Sequence, residues 1–230
     1  MAELRKRFLH KLTTEYRHAF LLLYWVLFGI VFWSMEVMTW RNYFSVSSPV
    51  DSLIPFNVWF LIPYYFWFLY IILDIVYFFF RDKEAFVKYM LYLMITYTVT
   101  LLIYAVFPTS QPLRPDLTQE GFLYDVTRWM YGYDTNTNVC PSIHVIGSFN
   151  VMFAAVHSKK IKSISLKILY VVVCILICAS TVFVKQHSII DVFWGVVLSL
   201  LAYPFVFLKN KTVDKIVKFF IVSKEMAGKV

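Results

Sequence analysis

The chain has 230 residues, of which 60% are hydrophobic, 20% aromatic and only 16% charged, proportions outside the usage of soluble domains. Its net charge of +8 comes from basic residues that flank apolar stretches instead of forming an aromatic-interleaved patch. That distribution suits membrane topology and anionic lipid and argues against a nucleic-acid partner.

The pattern predicts an all-α polytopic membrane protein with six transmembrane helices in a single domain over 1–230, with a core at 85–208 and a tail at 209–230. Each span needs roughly 20 apolar residues. The N-terminus is too charged, and its first apolar run too long, for a cleavable signal, so a retained helix is expected from Ala19 to Trp40. The connection from Arg41 to Pro55 carries Tyr43, Phe44 and Leu53 and reads as a segment lying along the interface. Further spans run from Phe56 to Phe80 and from Ala85 to Phe107. A polar segment from Pro108 to Cys140 follows, long enough to be read as a functional loop. The apolar run from Pro141 to about Val156 is short, and is expected to sit deep or to borrow residues from its flanks. The last spans run from Ile161 to Val184 and from His187 to Leu208.

Basic residues cluster before the first span (Arg5, Lys6, Arg7, Lys11, Arg17), after the second (Arg81, Lys83, Lys88), after the fourth (Lys159, Lys160, Lys162, Lys167) and after the sixth (Lys209, Lys211, Lys215, Lys218, Lys224, Lys229). Six spans place all four groups on one face. By the positive-inside rule that face is cytoplasmic, and so are both termini. The tail, with Ile216, Val217, Phe219, Phe220 and Ile221 among lysines, reads as a basic amphipathic helix on the cytoplasmic leaflet. Cys140, Cys174 and Cys178 form no extracellular disulfide framework, and the last two read as small packing residues. Glu36 and Asp74 read as interfacial, or as packed against polar neighbours.

Chemistry concentrates at the outer ends of two spans. His187 and Asp191 are four residues apart, which in a helix puts them on one face. A carboxylate there can accept the proton of one imidazole nitrogen and leave the other free to attack phosphorus. In Pro141-Ser142-Ile143-His144 the proline suits a helix start, where unpaired amides bind anions. Ser142 and the amides of Ser142 and Ile143 are therefore candidates to hold phosphoryl oxygens, with His144 as general acid. Arg114, in the outer loop, is the preferred cation because guanidinium matches phosphate bidentately. Lys185 is a second and Arg128 a third.

The segment ASTVFVKQHSIIDVFWG, with Ser180 seven residues before His187 and Asp191 four after it, resembles the third signature of the type 2 phosphatidic acid phosphatase (PAP2) superfamily. CPSIH resembles its second signature, and Arg114-Pro115 the end of its first. The resemblance implies that His187 is transiently phosphorylated, that Asp191 assists it and that His144 acts as acid and then base. It also implies that Arg114 with Ser142 binds phosphate; Ile143, Lys185, Ser180 and Thr181 complete the candidate phosphate-binding set. No metal or organic cofactor is implied. The chain departs from the signatures at Phe107, where the family has lysine, at Ile143, where it has glycine, and at Thr181, where it has arginine. The ST…QH…D…G form looks more like the branch of inositol phosphorylceramide synthase-type phosphotransferases.

The function expected from these features is a cell-membrane lipid phosphatase acting on a phosphomonoester or diphosphate at the extracytoplasmic face. A phosphotransferase to another lipid is the alternative, and a transporter with a His/Asp proton relay ranks behind both. The partners expected are the phosphorylated lipid and the bilayer, with a homo-oligomer left open.

Overall fold

The computed structural model describes residues 1–38 and 42–221. Trp40, Arg41, Lys224 and Lys229 lie outside the described residues. The chain is mostly helical. Basic α1 (Ala2–Thr14) leads through a 3-10 turn (Arg17–Leu22) into α2 (Leu23–Glu36). The connection that follows contains β1 (Phe44–Ser45) and α3 (Pro49–Leu53), then a second 3-10 turn (Val58–Phe60) opens α4 (Leu61–Arg81). After α5 (Lys83–Val106) come β2 (Thr109–Ser110), α6 (Phe122–Tyr133), α7 (Ile143–His157), α8 (Ile164–Phe183), α9 (Ile189–Phe207) and α10 (Lys211–Phe220).

Among the described residues five helical stretches, 17–36, 58–81, 83–106, 164–183 and 189–207, are long and apolar enough to cross a membrane. The sixth expected span, α7, has 15 residues, or about 22 Å at 1.5 Å per residue, short of the roughly 30 Å hydrocarbon core. Helix α7 packs against α4, α5, α8 and α9, so its Val145, Ile146, Val151 and Ala155 bury against protein instead of facing lipid. Gly147 allows the close approach to α4 and α5: a Cβ there would stand 2.7 Å from Tyr97 Oη and 3.1 Å from the Trp67 ring.

Two local expectations are corrected, and the expected tail helix gains a packing partner. The segment 108–140 is not a plain loop, because it carries β2, which pairs in parallel with β1 (Phe44 opposite Thr109), and the amphipathic α6. The tail helix α10 docks on α5 through buried Val213 and Val217, and Arg17 stacks on the Phe219 ring at 4.7 Å, so α10 rests on the bundle as well as pointing lysines outward. His187 lies outside α9, one residue before the N-cap Ser188.

The ends of the bundle are chemically opposite. At one end, Lys88 and Lys159 both hold Glu84 at 3.0 Å, and Asp82 accepts from Ser158 Oγ at 2.6 Å. At the other end lie the N-termini of α7 and α9, with both histidines.

Candidate active site

The turn before α9 is built by a reversal at the end of α8. Lys185 takes a left-handed conformation (φ 55°), a C-terminal device that turns the chain back, and the amides of Gln186 and His187 return to the Thr181 carbonyl at 3.0 and 3.1 Å. Ser188 then caps α9. Asp191 completes a capping box by accepting from Ser188 N at 2.9 Å, and its Oδ2 also lies 3.2 Å from His187 Nδ1. The pair expected along one helix face therefore forms across a helix start. With its proton on Nδ1 the ring donates to the carboxylate and turns the Nε2 lone pair away from it.

His187 Nε2 points at His144 Nδ1, 3.4 Å away, with the rings at 65°. His144 sits in the first turn of α7, and its ring packs between Trp67 and Tyr64 at centroid distances of 4.4 and 4.6 Å. Both histidines and Asp191 are buried.

Other predicted residues take different places. Ser142 is the N-cap of α7, its Oγ accepting from Val145 N at 3.4 Å. Its amide, expected to hold phosphate, instead donates to the Asp191 carbonyl at 3.1 Å and ties α7 to α9. Pro141 precedes that cap, so it lies outside the first helical turn. Ile143 opens the helix, and its carbonyl accepts from Tyr97 Oη at 3.4 Å.

Arg114 reaches the outer rim of the site. Its guanidinium donates to the carbonyls of Tyr131 (2.7 Å) and Asp134 (2.5 Å) and stacks on the Tyr131 ring, while its Nε is buried with no partner among the described residues. Burial pulls its pKa down, against the neighbouring Asp134 carboxylate. Asp134 in turn accepts from Tyr64 Oη at 2.6 Å, so a chain of contacts links Arg114 to the His144 ring.

Lys185 is not turned toward the histidines. Its ammonium donates to the carbonyls of Asp51 and Ile54 at 2.7 and 2.5 Å. Burial lowers its pKa and Asp51 opposes that. Ser180 and Thr181 donate their hydroxyls to Ile177 and Cys178 carbonyls at 2.6 and 2.8 Å, within α8. Arg128 serves the segment leading into α6, holding the carbonyls of Leu117 and Gln119 and pairing with Asp125. Asp74 accepts from Tyr170 Oη at 2.7 Å and Glu36 from Asn138 Nδ2 at 2.7 Å, so both carboxylates have polar neighbours.

Three supporting residues escaped the sequence reading. Buried Asp51 accepts from Ser188 Oγ at 2.6 Å and from Ile189 N at 2.8 Å, while capping its own helix through Ser48 N at 2.7 Å. Its Ser48-Pro49-Val50-Asp51 capping box was a readable signal, but its grip on a helix 137 residues away was not. Gln111, fully buried, donates to the Lys185 and Gln186 carbonyls at 2.8 and 3.2 Å and pins the turn from above. Cys140 lies beside Asp191, where burial and that carboxylate push its thiol up to about 12 and keep it protonated.

The profile of the PAP2 superfamily matches residues 85–214, a stretch that holds every candidate site residue. No significant match was found among curated proteins or solved structures.

Proposed function

The chain belongs to the PAP2 superfamily, and from that premise we propose that it is an integral membrane lipid phosphatase working through a phosphohistidine at the extracytoplasmic face. The observation that carries this reading is the alignment of Asp191 Oδ2, His187 Nδ1, His187 Nε2 and His144 Nδ1, with contacts of 3.2 and 3.4 Å. His187 Nε2 attacks phosphorus as the bond to the lipid oxygen breaks. Protonated His144 gives its proton to that departing oxygen. The neutral His144 then takes a proton from water, the resulting oxygen nucleophile displaces His187, and inorganic phosphate leaves. Asp191 stabilises positive charge on His187 throughout. The site's place opposite the lysine-rich end of the bundle supports the outer face.

A second reading, transfer of a phosphorylated headgroup to a lipid hydroxyl, is favoured by one feature. Arg114, Lys185 and Arg128 already hold main-chain carbonyls, and a singly charged phosphodiester asks for less cationic compensation than a monoester. Both readings share the phosphohistidine. Purified protein incubated with phospholipids, phosphorylated prenols and ceramides, with free phosphate and new lipids both measured, separates them. Phosphate release without an acceptor supports hydrolysis, and an acceptor-dependent lipid product supports transfer. The proposed chemistry passes charge between side chains, so a chelator is expected to leave the rate within about twofold, compared with the large loss typical where a metal stabilises the transition state. Strict divalent dependence, or the lack of an acid-labile phosphoprotein, overturns the mechanism.

A further inference from the structure

At the lysine-rich end of the bundle a cavity of about 490 Å³ lies between the last turns of α4 and the start of α8. Lys160 and Lys162 stand at its rim, and Asp74 and Tyr170 line it deeper in. Asp74 is seven positions before Arg81 on α4, or about 10 Å along the helix at 1.5 Å each. The same interval on α8 separates Ser163 from Tyr170. Leu73 and Leu166, on the flank of the cavity, are exposed, so that side opens to the acyl region of the adjoining leaflet.

The fold leaves polar groups at both depths unused. Asp74 is 2% exposed. Its Oδ1 accepts from Tyr170 Oη at 2.7 Å, but its Oδ2 has no partner among the described residues. A carboxylate oxygen held out of water without a donor is costly, and an ionisable side chain retained inside a span calls for a function. The rim is in the converse state. Lys159 pairs with Glu84 at 3.0 Å and Lys167 donates to the Val156 carbonyl at 2.6 Å, whereas the Lys160 and Lys162 ammoniums have no partner among the described residues. Cations at the mouth and an acceptor oxygen below them are the complement of a zwitterion.

We propose that this cavity binds the headgroup of a phosphatidylethanolamine-type lipid from the leaflet at the lysine-rich end, with its phosphate on Lys160 and Lys162 and its primary ammonium on Asp74 Oδ2. The lysine stems are flexible enough to follow a phosphate into the cavity, and the α8 start adds the positive end of its dipole. Chemistry separates this headgroup from its neighbours. Choline carries positive charge but has no N–H to give the unpaired oxygen, serine brings a second carboxylate toward Asp74, and glycerol offers a hydroxyl without charge. The site lies at the opposite end of the bundle from the histidines and is independent of the chemistry proposed there.

The test is native mass spectrometry of the full chain, equilibrated in detergent with pairs of phospholipids that share acyl chains and differ in headgroup. Phosphatidylethanolamine should be retained over phosphatidylcholine by about tenfold, the size expected of a hydrogen bond to a charged acceptor, and over phosphatidylglycerol by less. Asp74→Asn keeps the side-chain shape and should remove the preference over phosphatidylcholine. Lys160→Ala combined with Lys162→Ala should lower retention of phosphatidylethanolamine and phosphatidylglycerol alike, and Lys209→Ala combined with Lys211→Ala, at the same end but outside the cavity, should lower neither. Equal retention of ethanolamine and choline lipids by the wild type overturns the site, as does phosphatidylglycerol retained as well as phosphatidylethanolamine. A preference that survives in Asp74→Asn of unchanged helicity and monodispersity overturns the pairing with Asp74. The wild-type comparison needs no variant, so it decides the proposal even where Asp74→Asn fails to fold.

Discussion

His187 is defined by what its two nitrogens touch: a carboxylate on one side and a second imidazole on the other. His187→Ala is expected to reduce turnover to background and abolish phosphoprotein. His144→Ala is expected to lower kcat by roughly 10²- to 10⁴-fold, the usual worth of a general acid–base. Asp51 belongs to the same scale. It receives three hydrogen bonds, two of them from the α9 start, and Asp51→Ala leaves those donors buried. A loss of about 3 kcal/mol is expected from bonds to a charged acceptor, measurable by reversible denaturant unfolding in mixed micelles. Stability within 0.5 kcal/mol of wild type, in the range of an ordinary surface change, would remove Asp51 from this role.

Between helices, the site depends on how closely α7 and α9 approach. Gly195 makes that approach possible, since a Cβ would stand 3.0 Å from Val145 Cβ and 3.2 Å from the Ser142 carbonyl oxygen. Gly195→Ala therefore moves the two helices apart by a few tenths of an ångström, and Gly195→Leu by more. Because His144 rides on α7 and His187 on the turn into α9, kcat should fall at least tenfold in Gly195→Ala, in line with the sensitivity of catalysis to misplacement. The helical content should be kept. Unchanged kcat in a folded variant would mean that the histidine spacing is not set at this crossing. The glycine of the third signature thus has a packing reason, as does the shortness of α7, which other helices surround.

For the whole molecule the asymmetry of the two ends carries the proposed orientation, with the histidine end outside. A single cysteine replacing exposed Gln119, in a cysteine-free background, is expected to react with an impermeant maleimide added to intact cells. One replacing Lys160 is expected to react only after permeabilisation. The reverse pattern would invert the membrane orientation and move the histidine site to the cytoplasmic face.

Composition and apolar run length alone determined a helical membrane chain, the five long candidate spans and the short α7, because burial in lipid imposes an unbroken apolar stretch whatever surrounds it. Spacing alone singled out His187, Asp191 and His144, since the local turn needs only a capping box and a helix start to form. Which polar groups face the site was decided by the tertiary structure. Lys185 was two residues from His187 in sequence, but its ammonium is satisfied by carbonyls of Asp51 and Ile54; the Ser142 amide is satisfied by Asp191 O. A buried donor takes the nearest unpaired acceptor, and that acceptor came from segments more than forty residues away, which no local pattern encodes.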